Sequence, residues 1–329
     1  MDKYLFITGN GFDLDLGLKT RYSDFANNSS IFSNSSLNGS ALCMLLNKVV
    51  QRNPEWFDIE EILKNYAQLP EDENERILKQ NERWTSQMAD KRTFDDLIKG
   101  FREYILQEQG RTDLQKDSYA ARLLRAVVEN GKYTIYTFNY TDMNRMAQSL
   151  GIRKKFQFDA IHGRAADKSI ILGVDDEVDV FDGMEFLYKT FNRYYQSHSI
   201  THDLQTAEEV IIFGHSLSSI DYPYFQDFFR MVCQPGNAAS HRKRITIFTY
   251  DETSRLSLMK QLRTMNEHRT NYLYNQNDFT FICTSPSEQN DGIYPSRFED
   301  LLKHLNETSE AEEQRRMDNL ARMIRKHSI

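Results

Sequence analysis

YLFITGNGFD, residues 4–13, is the stretch that decides the fold. Its first five residues are apolar or β-branched and predict a buried strand of a parallel sheet. Gly9 ends this run, and Gly9 and Gly11 together permit a tight turn that a ligand can approach closely. The dinucleotide fingerprint G-x-G-x-x-G would require a third glycine where Leu14 stands. The turn alone therefore leaves a phosphate site and a structural turn equally open.

Further short apolar runs predict more strands, and helical patterns separate most of them. These runs are residues 133–137, 156–161, 170–172, 210–213, 245–249 and 279–282. Strands that alternate with helices predict an α/β fold with a doubly wound, mostly parallel sheet of the Rossmann type.

The domain organisation follows from one interruption of this pattern. Residues 41–125 carry apolar residues near a 3.6-residue spacing and predict a helical insertion. We therefore expect an α/β domain formed by residues 1–40 and 126–305. Residues 306–329 predict a C-terminal amphipathic helix, with Met317, Leu320, Met323 and Ile324 on one face.

Composition limits the partners and the location. The 329-residue chain has a formal net charge of −7, which argues against nucleic acid as a partner. No apolar run approaches the ~20 residues that a membrane span needs, and no signal-peptide pattern is present, so we expect a cytoplasmic protein without a membrane partner. The three widely spaced cysteines predict neither a disulfide framework nor a structural zinc site, and we expect no metal.

Polar motifs follow several of the predicted strands. They are Asn139, His162-Gly163, Gly214-His215-Ser216 and Asp251. Because the carboxyl ends of parallel strands meet at one edge of the sheet, where open α/β sheets bind ligands, we expect these residues to form one site with the Gly9 turn.

Several of these motifs resemble the AbiH proteins, a family linked to abortive phage infection. The motifs are GNGFDL at 9–14, YSDF at 22–25, WFDIEE at 56–61, FNYT at 138–141, HG at 162–163 and GHSLSSID at 214–221. The resemblance spans nearly the whole chain and implies a bacterial antiviral defence protein. A homo-oligomer or a partner protein of the defence system is compatible with it.

The order of the motifs is also similar to the sirtuin NAD-binding fold. Gly9-Asn10-Gly11 stands in place of the sirtuin G-A-G turn, and Gly214-His215-Ser216 stands in place of G-T-S. Asn139 and His162 occupy the places of the strand-end asparagine and the catalytic histidine. Thr141 replaces the sirtuin aspartate, and the two C-x-x-C pairs of the sirtuin zinc module are missing. The resemblance thus implies a sirtuin-like fold that uses NAD as a substrate but does not support a peptide substrate.

We therefore hypothesise an NAD glycohydrolase that releases nicotinamide and ADP-ribose. Asn139 would orient the ribose or the attacking water. His162 would act as general base, because histidine ordinarily titrates near neutrality. The residues expected to hold the nucleotide are Gly9, Asn10, Gly11, Phe12, Asp13, Gly214, His215, Ser216 and Asp251.

Simpler roles for the same residues stay open. Asn139 is also a common turn residue, His162 could be a hydrogen-bonded core histidine, and Asp13 could cap the helix that follows. The whole site could bind a nucleotide as a sensor without turning it over.

Two other activities compete with the NAD hypothesis. GHSLS at 214–218 resembles the lipase elbow G-H-S-x-G, so Ser216 could be an esterase nucleophile with His241 or His268 as its base. His198 and His202 could also lie on one helix face as a metal-binding pair, although no acidic or cysteine ligand has a matching spacing.

Overall fold

The chain forms a six-stranded, all-parallel open sheet. A computed structural model describes residues 3–29, 40–52, 58–70, 72–236, 242–290 and 292–326, with the backbone alone at 78, 81, 82 and 311–326. The strands are β1 (Lys3–Thr8), β2 (Tyr133–Thr137), β3 (Asp159–Ala160), β4 (Ala207–Phe213), β5 (Arg244–Thr249) and β6 (Asp278–Cys283). Their spatial order is β3-β2-β1-β4-β5-β6.

This strand order determines where a ligand can bind. The chain runs outward from β1 through β2 to β3, returns to the other side of β1 with β4, and continues outward through β5 to β6. The direction of winding therefore reverses between β1 and β4. Open α/β sheets form their ligand crevice beyond the carboxyl ends of the strands at such a switch point. The predicted Rossmann-type parallel sheet is confirmed.

The predicted strands match closely, with two exceptions on one edge. The run at 156–161 forms only the two-residue strand β3. The run at 170–172 forms no strand, so that prediction is wrong. Ile170 and Leu172 are buried in a hydrophobic core shared with the helical segment. A short apolar run has the same appearance whether it is buried as a strand or as a loop.

Helices cover both faces of the sheet, and several more form a separate helical region. They are α1 (Asn10–Asp15), α2 (Tyr22–Asn28), α3 (Ala41–Arg52), α4 (Ile59–Ala67), α5 (Glu73–Glu108), α6 (Tyr119–Asn130), α7 (Met143–Ser149), α8 (Ile200–Thr206), α9 (Tyr222–Val232), α10 (Glu252–Met265), α11 (Thr270–Gln276) and α12 (Ile293–Lys326). The apolar face predicted at Met317 to Ile324 concerns side chains outside the described set.

The alternation of side chains along β1 separates two cores. Phe6 packs into the core under α1, α6, α7 and α12, whereas Leu5 and Ile7 pack into the opposite core under α8 to α11. Successive residues of a strand point to opposite faces, and a strand buried on both faces must be apolar throughout. The apolar run at the start of the chain therefore makes β1 a central strand.

The helical segment α3 to α5 has a third core of its own. Its apolar residues pack with α2 and with the loop region around residues 165–187. Phe101 of α5 contacts Phe25 and Tyr140 at ring-centroid distances of 5.2 Å. Since Tyr140 follows β2, this core places the helical segment beside the carboxyl edge of the sheet.

Candidate functional site

A cleft of about 310 Å³ lies at the switch point. We call it the switch-point cleft. It combines residues that follow β1, β2, β3 and β4 with residues of α2, α4 and α5. Its lining is Gly9, Asn10, Asp13, Leu14, Thr20, Arg21, Tyr22, Ser23, Asp58, Glu60, Phe101, Ile105, Phe138, Asn139, Tyr140, His162, Gly214, His215, Ser216, Ser218 and Asp221.

The turn after β1 is packed against the turn after β4 by backbone hydrogen bonds. Gly9 N donates to Phe213 O and Gly11 N donates to Gly214 O, both at 2.9 Å. A Cβ added at Gly214, whose φ is +64°, would lie 2.4 Å from the Cα of Gly11. Phe12 N donates to Gly9 O. The glycines thus permit two backbones to touch, and their N–H groups are not available to a phosphate, which corrects the predicted cradle.

Asp13 joins the turn after β1 to the turn after β2. Its two carboxyl oxygens accept from Asn139 Nδ2 at 2.8 Å and from Thr141 Oγ1 at 2.9 Å. Burial raises the pKa of Asp13 to about 7, against the opposing effect of the hydrogen bonds from Thr141 and Asn139. Asn139 Nδ2 also donates to Gly9 O at 3.0 Å. Asp13 is therefore a buried cross-link and does not cap α1, whose N-cap is Gly9.

Asp221 lies between two imidazoles on the floor of the cleft. Its Oδ2 is 3.3 Å from His215 Nε2, and its Oδ1 is 3.3 Å from His162 Nε2. His215 Nδ1 accepts the backbone N–H of Leu217 at 2.9 Å. A ring nitrogen that accepts cannot carry a proton, so His215 is neutral with its proton on Nε2, facing Asp221. His215 therefore fixes the position of the carboxylate.

The charge of Asp221 is maintained despite its burial. Burial acts to raise its pKa, but His162, His215 and Lys189 outweigh this effect and hold the pKa well below its usual value. Phe138 packs edge-on against both imidazoles, with ring-centroid distances of 5.3 Å to His162 and 4.3 Å to His215. The cleft thus contains an ionised carboxylate in a largely apolar wall.

The opposite wall comes from the start of α4. Asp58 caps this helix by accepting from the N–H groups of Glu60 and Glu61, and burial raises the pKa of Asp58 to about 6. The carboxylate of Glu60 is buried, with Oε1 at 3.0 Å from the ammonium of Lys189. The helical segment is therefore part of the site.

Three buried polar atoms in this cleft have no hydrogen-bond partner among the described residues. They are Glu60 Oε1, His162 Nε2 and Asp221 Oδ1, whose charged neighbours lie close but without hydrogen-bond angles. An unpaired buried polar group costs free energy. Their concentration in one cavity is typical of a site that a ligand completes.

Most of the predicted site residues meet in the switch-point cleft. Those that line it are Gly9, Asn10, Asp13, Asn139, His162, Gly214, His215 and Ser216. Gly11 and Phe12 do not line it, and the Phe12 ring is fully buried against Phe213. Asp251 also lies outside the lining and caps α10 by accepting from Ser254 N at 2.7 Å.

Sequence reasoning missed Asp221, Glu60 and Lys189 as site residues. Asp221 and Glu60 stand inside motifs that carry the AbiH resemblance, GHSLSSID and WFDIEE. An acidic residue within such a motif was the available signal. Lys189 lies in no motif, and its place near the cleft depends on tertiary packing alone.

The surroundings of Ser216 and His198 differ from those that an esterase nucleophile and a metal-binding histidine pair require. Ser216 is exposed, and the left-handed backbone belongs to Gly214 and Leu217 instead of the serine, whereas a nucleophile elbow strains the serine itself. His268 is exposed, and His241 lies outside the described residues. His198 precedes α8 and pairs with Asp159 at 2.8 Å, so it does not share a helix face with His202.

Among the described residues, no group of three or more His, Cys, Asp or Glu residues has an arrangement that could hold a metal ion. No described helix combines the length and the apolar character needed to cross a bilayer.

The fold and the cleft define a doubly wound α/β protein with a cleft at its switch point. The sequence profile described as "Bacteriophage abortive infection AbiH" matches residues 5–240, about seven tenths of the chain. The chain belongs to the AbiH family, which connects it with abortive infection as a defence against phage. No protein of curated function is significantly similar to it.

Proposed function

We propose that this AbiH protein acts in phage defence by hydrolysing the bond between nicotinamide and ribose in NAD. The observation that carries the proposal is the juxtaposition of His162 with the ionised Asp221 in a cleft that holds unpartnered acceptors. An oxocarbenium-like transition state places positive charge on the ribose. Carboxylates held in a water-poor cleft stabilise such charge more strongly than water does.

The chemistry assigned to His162 follows from its neighbour. Asp221 at 3.3 Å from Nε2 favours the tautomer with its proton on that nitrogen, so Nδ1 is the nitrogen that accepts a proton. Water attacks C1′ of the ribose and loses its proton to His162. The C1′–N bond breaks, and its electron pair leaves with nicotinamide, which becomes neutral. Asp221 stabilises the imidazolium that forms.

The size and charge of the cleft suggest how NAD would lie. A volume of about 310 Å³ is at the lower end of small-molecule sites, which run to roughly 1,000 Å³, so the cleft suits the nicotinamide ribose end. Among the described lining residues, Arg21 alone carries a permanent positive charge, and it is exposed. The diphosphate would therefore lie at the rim beside Arg21 instead of on the glycine turn.

The test measures nicotinamide released from NAD by the purified protein and by cells during phage infection. We expect release by the wild type and a loss of 10²-fold or more in His162→Ala, the usual range for a general base. His202→Ala, an exposed histidine of α8, is the matched control and should keep full activity. A wild type that releases no nicotinamide in either setting contradicts the proposal.

A nucleotide sensor is the second candidate, and the hydrogen bonds of Asn139 favour it. Both N–H donors of its amide are engaged, by Gly9 O and by Asp13, so they do not orient a ribose or a water. This candidate predicts tight binding of NAD with no nicotinamide released under any condition.

A further inference from the structure

The carboxylate of Glu60 is a feature that hydrolysis by His162 and Asp221 does not require. It comes from the helical segment, far from the sheet in sequence, yet it lines the switch-point cleft and is only 7% exposed. Its Oε1 lies 3.0 Å from the ammonium of Lys189 but accepts no hydrogen bond of good geometry from the described residues. A buried carboxylate that has a single cation beside it and no well-directed donor gains free energy from a bound group that supplies donors.

Lys189 holds Glu60 in place. The ammonium is buried at 3.0 Å from Glu60 Oε1, and the backbone N–H of Lys189 donates to Val174 O at 2.9 Å, which fixes the loop that carries it. Burial acts to lower the pKa of Lys189, but the charges of Glu60, Asp221 and Asp175 outweigh it and raise the pKa. Lys189 is therefore an ammonium at neutral pH.

The charges around this ammonium do not balance. Lys189 faces the carboxylates of Glu60, Asp221 and Asp175, and His215 is neutral because its Nδ1 accepts a hydrogen bond. Even with a proton on His162, which adds a second positive charge beside Asp221, two buried cations face three carboxylates. Buried charges in proteins are normally paired. The cleft is therefore suited to a ligand that brings hydrogen-bond donors and positive charge, and unsuited to a phosphate.

We infer that Glu60 binds the ribose hydroxyls of a positively charged N-riboside, and that Lys189 positions it. This inference rests on the proposed function and names the part of the substrate that enters the cleft. Two adjacent hydroxyls are the donors that a carboxylate accepts in pairs. The pyridinium of the same group supplies the missing positive charge. The helical segment then selects the substrate, while the sheet edge supplies the general base.

The test compares the Kd of two probes, nicotinamide riboside and its 2′,3′-dideoxy analogue, by titration calorimetry. In the wild-type protein we expect the riboside to bind at least ~10-fold more tightly than the analogue, since a hydrogen bond to a charged group has about this effect. In Glu60→Gln we expect the riboside to lose that advantage and the analogue to bind as before. Glu61→Gln, the exposed neighbour on α4, is the matched control and should behave as the wild type.

The outcomes of this titration are independent of turnover. The inference is overturned if Glu60→Gln binds the riboside as tightly as the wild type does, if it weakens both probes equally, or if the wild type binds neither probe. Nicotinamide release is measured beside it on the same samples. A wild type that discriminates between the probes through Glu60 but releases no nicotinamide supports the inference while it contradicts the hydrolase.

Discussion

Asp90 and Asp221 are both buried carboxylates, but their surroundings differ in one decisive respect. Asp90, on α5, is fully buried and accepts four hydrogen bonds of 2.6–3.0 Å. Its donors are the hydroxyls of Ser40, Tyr66 and Ser86 and the backbone N–H of Leu42. Asp221, in the switch-point cleft, has an Oδ1 without any hydrogen bond from the described residues.

We expect this difference to separate an acid with a structural role from one with a role in the proposed activity. Every hydrogen bond that Asp90 accepts comes from the protein itself, and these bonds hold α3, α4 and α5 together. Asp221 and Glu60 each have one buried oxygen that lies 3.0–3.3 Å from an imidazole or an ammonium without a hydrogen bond of good geometry. Active sites characteristically retain such unsatisfied and perturbed groups. Three substitutions sharpen this comparison.

Asp90→Ala should have the largest effect on stability. It leaves four buried donors without an acceptor, and each stranded group costs about 1–3 kcal/mol, partly offset by relaxation. We expect the free energy of unfolding, measured with urea, to fall by about 4 kcal/mol. Asp95→Ala, an exposed residue of the same helix, should change it by less than about 0.5 kcal/mol. If the two variants lose the same free energy of unfolding, Asp90 does not hold the helices together.

Asp221→Asn should lower activity much more than it lowers stability. It removes the charge that orients and stabilises His162 while it keeps the size of the side chain, so we expect nicotinamide release to fall at least ~100-fold. The free energy of unfolding should fall by less than it does in Asp90→Ala, because asparagine keeps a side-chain oxygen that can accept from His215 Nε2. The control is Asp227→Asn on α9, where the carboxylate is exposed. Full activity of Asp221→Asn would place Asp221 with the structural acids.

Asp13→Asn should act mainly on the pH dependence of stability. The pKa of Asp13 is about 7 in the fold and 3.8 as its reference value, so the folded state retains a proton that the unfolded chain has lost. The wild type therefore loses stability as pH rises from about 4 to about 7, by at most about 1.4 kcal/mol per pH unit. The asparagine has no proton to lose, and urea unfolding across this range should give a flatter curve. Parallel curves would contradict the assigned pKa.

The sequence predicts the sheet well because the short apolar runs are also the segments that the sheet buries. The run before Gly9 is apolar at every position, as a central parallel strand requires, and the residues after the strands share one edge by topology alone. The run at 170–172 fails because its burial comes from the helical segment. The role of the glycine turn could not be predicted for a similar reason. Glycine is needed both where another backbone packs closely and where a phosphate binds.

The rest of the site depends on contacts that are distant in sequence. Glu60 reaches the cleft because α4 packs beside the residues that follow β2. Lys189 reaches Glu60 from the loop whose backbone bonds to Val174. Neither position follows from hydrophobic periodicity or from a strand end. Asp221 stands eight residues after the end of β4, as the last residue of a short 3₁₀ turn, so a search confined to strand ends passes over it.

A crystal structure of the protein with ADP-ribose would show whether the switch-point cleft is the ribose site. We expect the ribose in this cleft, with its hydroxyls about 3 Å from Glu60, His162 beside C1′, and the diphosphate at the rim near Arg21. ADP-ribose bound outside this cleft, or with its phosphates against Asp221, would contradict this proposal.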